Sequence, residues 1–197
     1  PISIEMGYMR PDLLPSLLNA ASRNQARGYL DLKLYEVGTI FHGKDPGQQS
    51  IMASGLLIGC SNSRDVHGER RVVDPFDVKA DALETLEALG ATKKYKIYRD
   101  VPKIWHPGRS ARVSLGPKNS LAIFGELHPK IIKAYGLKGA VLAFTIFIEK
   151  IPFKNKKSTT RQALKMNDLQ VVERDFSFVL DERVEASALK VASESVD

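Results

Sequence analysis

An α+β fold, a mostly antiparallel sheet flanked by helices laid on one face, is what this sequence predicts. Three observations carry it. Apolar residues recur with strand-like alternation or in short buried runs near 30–41, 51–59, 121–127 and 141–148. Turn-forming stretches rich in Gly and Pro separate neighbouring runs, as antiparallel hairpins require. Two other segments, opening at Asp12 and Asp74, carry helical spacing with start and stop signals.

Leu13, Leu14, Leu17, Leu18 and Ala21 fall on one helical face after Arg10-Pro11-Asp12, Pro15 sits in the first turn where a missing amide hydrogen costs little, and Gly28 supplies a left-handed stop. Leu30, Leu32 and Leu34 then alternate with Asp31, Lys33 and Tyr35 in a strand running to Phe41. The turn His42 to Gly47 returns the chain into a partner strand, Ile51 to Gly59, so the pair reads as a hairpin. Ser61 to Val73 is polar and basic, a surface loop in which Arg64, Arg70 and Arg71 are candidate RNA contacts. Asp74 as N-cap and Pro75 at the first helical position open the second helix, with Phe76, Leu83, Leu86 and Leu89 as its buried stripe and Gly90 as its stop.

Tyr95 and Ile97 alternate with Lys94 and Lys96 in a further strand. Two His-Pro pairs follow, Trp105-His106-Pro107-Gly108-Arg109 and Glu126-Leu127-His128-Pro129. Proline pushes each preceding histidine toward extended backbone, and Pro107-Gly108 predicts a tight turn entering a strand from Arg109 to Leu115. A Gly116-Pro117 turn leads to the strand Leu121 to Leu127. There strict alternation sends Leu121, Ile123, Gly125 and Leu127 one way and Ala122, Phe124, Glu126 and His128 the other. Pro129 opens a short helix closed by Gly136, and Val141 to Ile148 completes the sheet. From Phe153 to Leu169 the sequence turns basic without hydrophobic periodicity; Lys154, Lys156, Lys157 and Arg161 in this linker are further candidate RNA contacts. Phe176 to Leu180 then reads as a strand and Glu185 onward as a helix, a single β-α unit.

Of 197 residues, 43% are hydrophobic and 26% charged, as in soluble globular proteins, and no apolar run approaches the ~20 residues of a membrane helix. One cysteine, Cys60, excludes an intrachain disulfide and fits a reducing compartment, so the cytoplasm is expected. A net charge of +6 makes a nucleic-acid partner plausible, although a basic surface is often only solvated. The sequence has no Gly-rich phosphate loop, no Gly-x-Ser-x-Gly elbow and no His-Glu-x-x-His helix; its four histidines lack metal-ligand spacing, so no metal site is expected. Arg109, Glu126, His128 and His106 form the one polar cluster that the spacing suggests. It reads as a structural ion pair with satisfied histidines, against the alternative of a site that orients a ligand or performs acid-base chemistry.

Met9-Arg10-Pro11-Asp12-Leu13-Leu14-Pro15-Ser16-Leu17-Leu18, Leu34-Tyr35-Glu36-Val37-Gly38, His106-Pro107-Gly108-Arg109-Ser110-Ala111 and Phe124-Gly125-Glu126-Leu127-His128-Pro129 occur in order. Together they resemble the β subunit of bacterial phenylalanyl-tRNA synthetase, over nearly the whole chain. The resemblance implies a noncatalytic class II synthetase-like module over residues 1–152, a basic linker over 153–170, and over 171–197 the opening of a truncated ferredoxin-like anticodon-binding domain. It also implies an excised piece of a longer subunit. In that family an (αβ)2 heterotetramer charges tRNA(Phe), with the α subunit carrying the chemistry that uses ATP and Mg; no cofactor is expected in this chain. Where class II synthetases place an ATP-contacting arginine before the glutamate of the second motif, this chain reads Lys33-Leu34-Tyr35-Glu36, and the third motif's helix-start arginine is absent as well. By analogy with the first class II motif, Leu13, Leu17 and Leu18 are candidates for a subunit interface. An independent basic RNA-binding module is the alternative reading. An apolar surface normally covered by the α subunit should make this chain self-associate. Sedimentation velocity should show concentration-dependent association, and a strictly monomeric profile at high concentration would contradict it.

Overall fold

The alternating segments close into one six-stranded, wholly antiparallel sheet. A computed structural model describes residues 7–62, 66–68, 70–92, 94–152, 163 and 169–196. Its strands are β1 (Leu32–Phe41), β2 (Gln49–Ile58), β3 (Lys96–Tyr98), β4 (Trp105–Leu115), β5 (Asn119–Leu127) and β6 (Val141–Phe147), in the order β1-β2-β6-β5-β4-β3. The strand latest in sequence thus lies in the middle. The helices of this part are α1 (Leu14–Ala26), α2 (Pro75–Ala88) and α3 (Pro129–Ala134). The chain divides into two compact units, Pro1–Asn155 and Lys156–Asp197.

Helices cover both faces of the sheet, where the sequence led us to expect one. α1 and α3 bury Leu14, Leu17, Leu18, Ala21 and Ile132 against Leu56, Ile58, Ile123, Leu127, Val141 and Ala143. α2 buries Val78, Ala82 and Leu86 against Leu57, Ala122, Phe124, Leu142, Phe144 and Ile146. The reason is visible in β2, β5 and β6, whose apolar residues run continuously rather than alternating, so both faces need cover.

Local chemistry sets the helix ends. Asp12 accepts the Leu14 amide at 2.8 Å and α1 starts there, two residues later than expected. At its end Gly28, with φ 92°, donates to the Gln25 carbonyl and Tyr29 to that of Asn24, a paired left-handed closure. Asp74 caps α2 by accepting from Phe76 and Asp77, and the Asp77 carboxylate accepts the Asp74 amide in return. Phe76 is 73% exposed rather than buried. The buried stripe repeats every four residues from Val78, and a residue two before it points to the opposite side. Leu30 likewise is exposed and precedes β1.

Between β4 and β5 the expected tight turn is instead a bulge. The register passes from Trp105 opposite Leu127 to Ser110 opposite Gly125, so residues 106–109 leave the ladder. Gly108 does not take positive φ; Gly125 on the facing strand does, at 134°. A second irregularity, between Val113 opposite Ala122 and Ser114 opposite Ser120, leaves Leu121 extra on β5. Leu121 therefore packs with Ala122 on the α2 side, against the strict alternation read from the sequence.

In the second unit, Phe176–Leu180 forms no strand, and its side chains are exposed. A strand exists through ladder bonds, and no described segment pairs with it. A helix, α4 (Ala186–Glu194), follows with no buried residue.

Glycine at 125 is a steric requirement. A Cβ there would lie 2.3 Å from the Arg109 carbonyl oxygen and 2.4 Å from the Ser110 Cα. Gly125→Ala should cost about 3 kcal/mol or more in urea unfolding. Gly108→Ala meets only His106 ring atoms at 3.8–3.9 Å and should stay within about 1 kcal/mol of the parent.

Candidate functional site

The β4 bulge is where the conspicuous polar residues gather. By leaving the ladder it re-aims Arg109, whose Nη1 donates to Glu126 Oε2 at 2.8 Å. Glu126 is only 7% exposed, while the Arg109 side chain is 60% exposed. A buried carboxylate needs a partner, and the pair supplies it. Each histidine is engaged locally instead. His106 Nδ1 accepts the Gly108 amide at 3.1 Å, and Ser110 Oγ donates to the His106 carbonyl at 2.5 Å, which hold the bulge. His128 Nδ1 accepts the Lys130 amide at 3.2 Å and caps α3. The structure joins Arg109 to Glu126, and the two histidines take backbone partners.

Next to the bulge opens a cleft of about 570 Å³, lined by Val101, Pro102, Lys103, Ile104, Trp105, Pro107, His128, Lys130 and Ile131. Trp105 is packed into the α1-side core. Lys103 and Lys130 escaped the sequence reading. The signal was a repeated triplet, Pro-Lys-Ile at 102–104 and again at 129–131.

A second, smaller cavity of about 290 Å³ lies between β1, β2 and α2, with Lys33, Tyr35, Asp81, Glu84 and Phe144 among its lining. Its floor is Gly55, over which the Phe144 ring lies so closely that a Cβ would sit 2.3 Å from a ring carbon. Burial, then the neighbouring Glu84 carboxylate, raises the pKa of Asp81.

Two of the recurring motifs interlock in a way the sequence did not disclose. Arg10 pairs through Nη1 with Glu36, donates from Nε to the Thr39 carbonyl at 2.9 Å and accepts the Phe41 amide at 2.9 Å. Gly38 leaves room for that guanidinium, since a Cβ would lie 2.3 Å from Nη2. Leu13, Leu17 and Leu18, the interface candidates read from the sequence, are all buried in this chain's own core.

Among the described residues of the basic loop, Arg70 and Arg71 pair with carboxylates outside it. Arg70 pairs with Asp31 at 2.5 Å, and Arg71 grips Asp77 with two bonds of 2.5 and 2.8 Å. The Asp31 carboxyl is held below its usual range, first by the Cys60 amide and then by Arg70. Asp77 is lowered chiefly by Arg71. Arg64, Lys154, Lys156, Lys157 and Arg161 lie outside the described residues. Among the described residues, no group of three or more His, Cys, Asp or Glu could hold a metal ion, and no helix is long and apolar enough to cross a membrane.

The profile of the phenylalanyl tRNA synthetase beta chain CLM domain matches residues 1–148. The chain belongs to this family. It is 53% identical over 197 residues to the phenylalanine–tRNA ligase beta subunit of Ruegeria pomeroyi and 54% identical to that of Cereibacter sphaeroides, covering 100% of this chain in both. It spans about a quarter of the length of these curated relatives, 25% and 24%. Among solved structures, a pyrrolysyl tRNA synthetase of Desulfitobacterium hafniense shares the fold, with a TM-score of 0.53 at 16% identity over 72% of this chain and 48% of that one.

Because the folded pKa of Asp77 is depressed, its stabilising effect is complete above the unfolded value near ~4 and is lost as pH falls through the folded one. Asp77→Asn should therefore cost about 1 kcal/mol at pH 7 in urea unfolding, with the difference from the parent shrinking as pH falls below the unfolded carboxylate range.

Proposed function

We propose that this chain is a noncatalytic scaffold module of a phenylalanine–tRNA ligase β subunit, supporting the α subunit that performs phenylalanine activation and helping to position tRNA(Phe). The observation that carries it is the fate of the second-motif glutamate. Glu36 is committed to Arg10 of the same chain, and the preceding positions offer Lys33 and Tyr35 where a triphosphate would need a planar guanidinium. ATP with Mg, the cofactors of the parent reaction, do not fit here: the larger cleft has no carboxylate in its lining, and the smaller cavity, which has Asp81 and Glu84, holds only about 290 Å³ and no arginine.

On this reading residues 1–152 form the synthetase-like module, 153–170 a linker, and 171–197 part of a ferredoxin-like domain, within a cytoplasmic (αβ)2 assembly. The surface for the α subunit is the uncovered part of the sheet and its edge. Tyr35, Val37 and Ile51 are exposed there, on the face that α2 leaves bare beside β1. Arg109 and Glu126, with His106 and His128, then serve to lock the hairpin rather than to react.

Coexpression with an α subunit tests the scaffold role. Copurification is expected, with Tyr35→Glu reducing the yield of complex at least tenfold without changing the far-ultraviolet dichroism of the chain. The chain alone should show no phenylalanine-dependent ATP–pyrophosphate exchange. Exchange by the purified chain would sink the noncatalytic assignment and favour an autonomous enzyme.

A further inference from the structure

Two copies of one triplet meet beside the bulge. Pro102-Lys103-Ile104 and Pro129-Lys130-Ile131 are joined where the His128 amide donates to the Ile104 carbonyl at 2.8 Å, and both line the 570 Å³ cleft. The ionisable side chains of that lining are Lys103, Lys130 and His128, with no carboxylate among them. The Lys130 amide fills His128 Nδ1, so in the neutral ring the proton sits on Nε2. Ile104, Trp105 and Pro107 supply apolar wall. Cationic donors without a competing acceptor select an anion, and the apolar wall selects a flat body attached to it. The volume lies within the ~300–1,000 Å³ of small-ligand sites.

We propose that this cleft binds one unstacked nucleotide of RNA, its phosphate on Lys103 and Lys130 and its base against the wall formed by Ile104 and Pro107. A divalent cation finds no oxygen-rich side chains there, and an acidic peptide lacks the planar body. The choice of RNA rests on the tRNA-positioning reading. Failure to bind RNA would leave α-subunit copurification, the test of the scaffold, untouched.

The 197-residue chain has one tryptophan, Trp105, so its fluorescence reports this cleft directly. Titration at low salt with a single-stranded RNA pentanucleotide should change that emission saturably, with AMP competing more weakly. The double variant Lys103→Ala, Lys130→Ala should weaken RNA binding at least tenfold and flatten the salt dependence by about 0.7 per lysine removed. Lys44→Ala, in the β1–β2 turn, should change neither. Ile104→Ser keeps both cations and should weaken RNA and AMP while leaving inorganic phosphate unaffected, which holds even if the double variant misfolds. AMP binding as tightly as the pentanucleotide overturns the assignment to RNA. Equal competition by inorganic phosphate, or tighter binding of oligoglutamate, overturns the nucleotide. RNA binding without a change in Trp105 emission overturns the location.

Discussion

Everything in the main unit depends on β6 being buried from both sides in the middle of the sheet. Val141, Leu142, Ala143, Phe144, Thr145 and Ile146 are all buried, with β2 on one flank and β5 on the other. Each large side chain among them contributes about 2 kcal/mol through burial, but only if a helix covers its face. α1 and α3 must therefore pack opposite α2. The polar exception obeys the same constraint: Thr145 and Ser54, both buried, satisfy each other across the β2–β6 pair at 3.1 Å.

Central burial leaves distinctive chemistry only at the margins. At one end of the sheet the β4 bulge lifts four residues out of the ladder, and Gly125 lets the strand behind them approach where any Cβ would collide. That close approach seats Arg109 over the buried Glu126 and sets Pro107 at the rim of the cationic cleft. At the opposite edge Arg10 occupies the end of β1, while Tyr35 and Val37 stay exposed on the stretch before it. Scaffold and binding readings thus draw on different edges of one sheet.

The charge at β1 is turned inward. A guanidinium and a glutamate are adjacent there, and Arg10 and Glu36 of this chain satisfy one another. The cations of the larger cleft, Lys103 and Lys130, sit on a loop and at a helix start. Point charges on flexible stems suit backbone phosphate better than a forked, oriented transfer site. Such a surface positions an anion without needing to stabilise a transition state.

By itself the sequence determined what depends on near neighbours along the chain: the Asp74 cap with Pro75, the Gly28 stop, the β1–β2 hairpin, the helix from Pro129 and the family motifs. These follow from steric and hydrogen-bonding rules acting over three or four residues. Only the tertiary structure decided which face each helix covers, that Pro107-Gly108 bulges rather than turns, and that Leu121 breaks the alternation. It also decided that Arg70 and Arg71 spend their charge on Asp31 and Asp77, and that two distant Pro-Lys-Ile triplets share a cleft. Those outcomes turn on register and on pairs distant in sequence, 39 residues for Arg70 and Asp31, which no local pattern encodes.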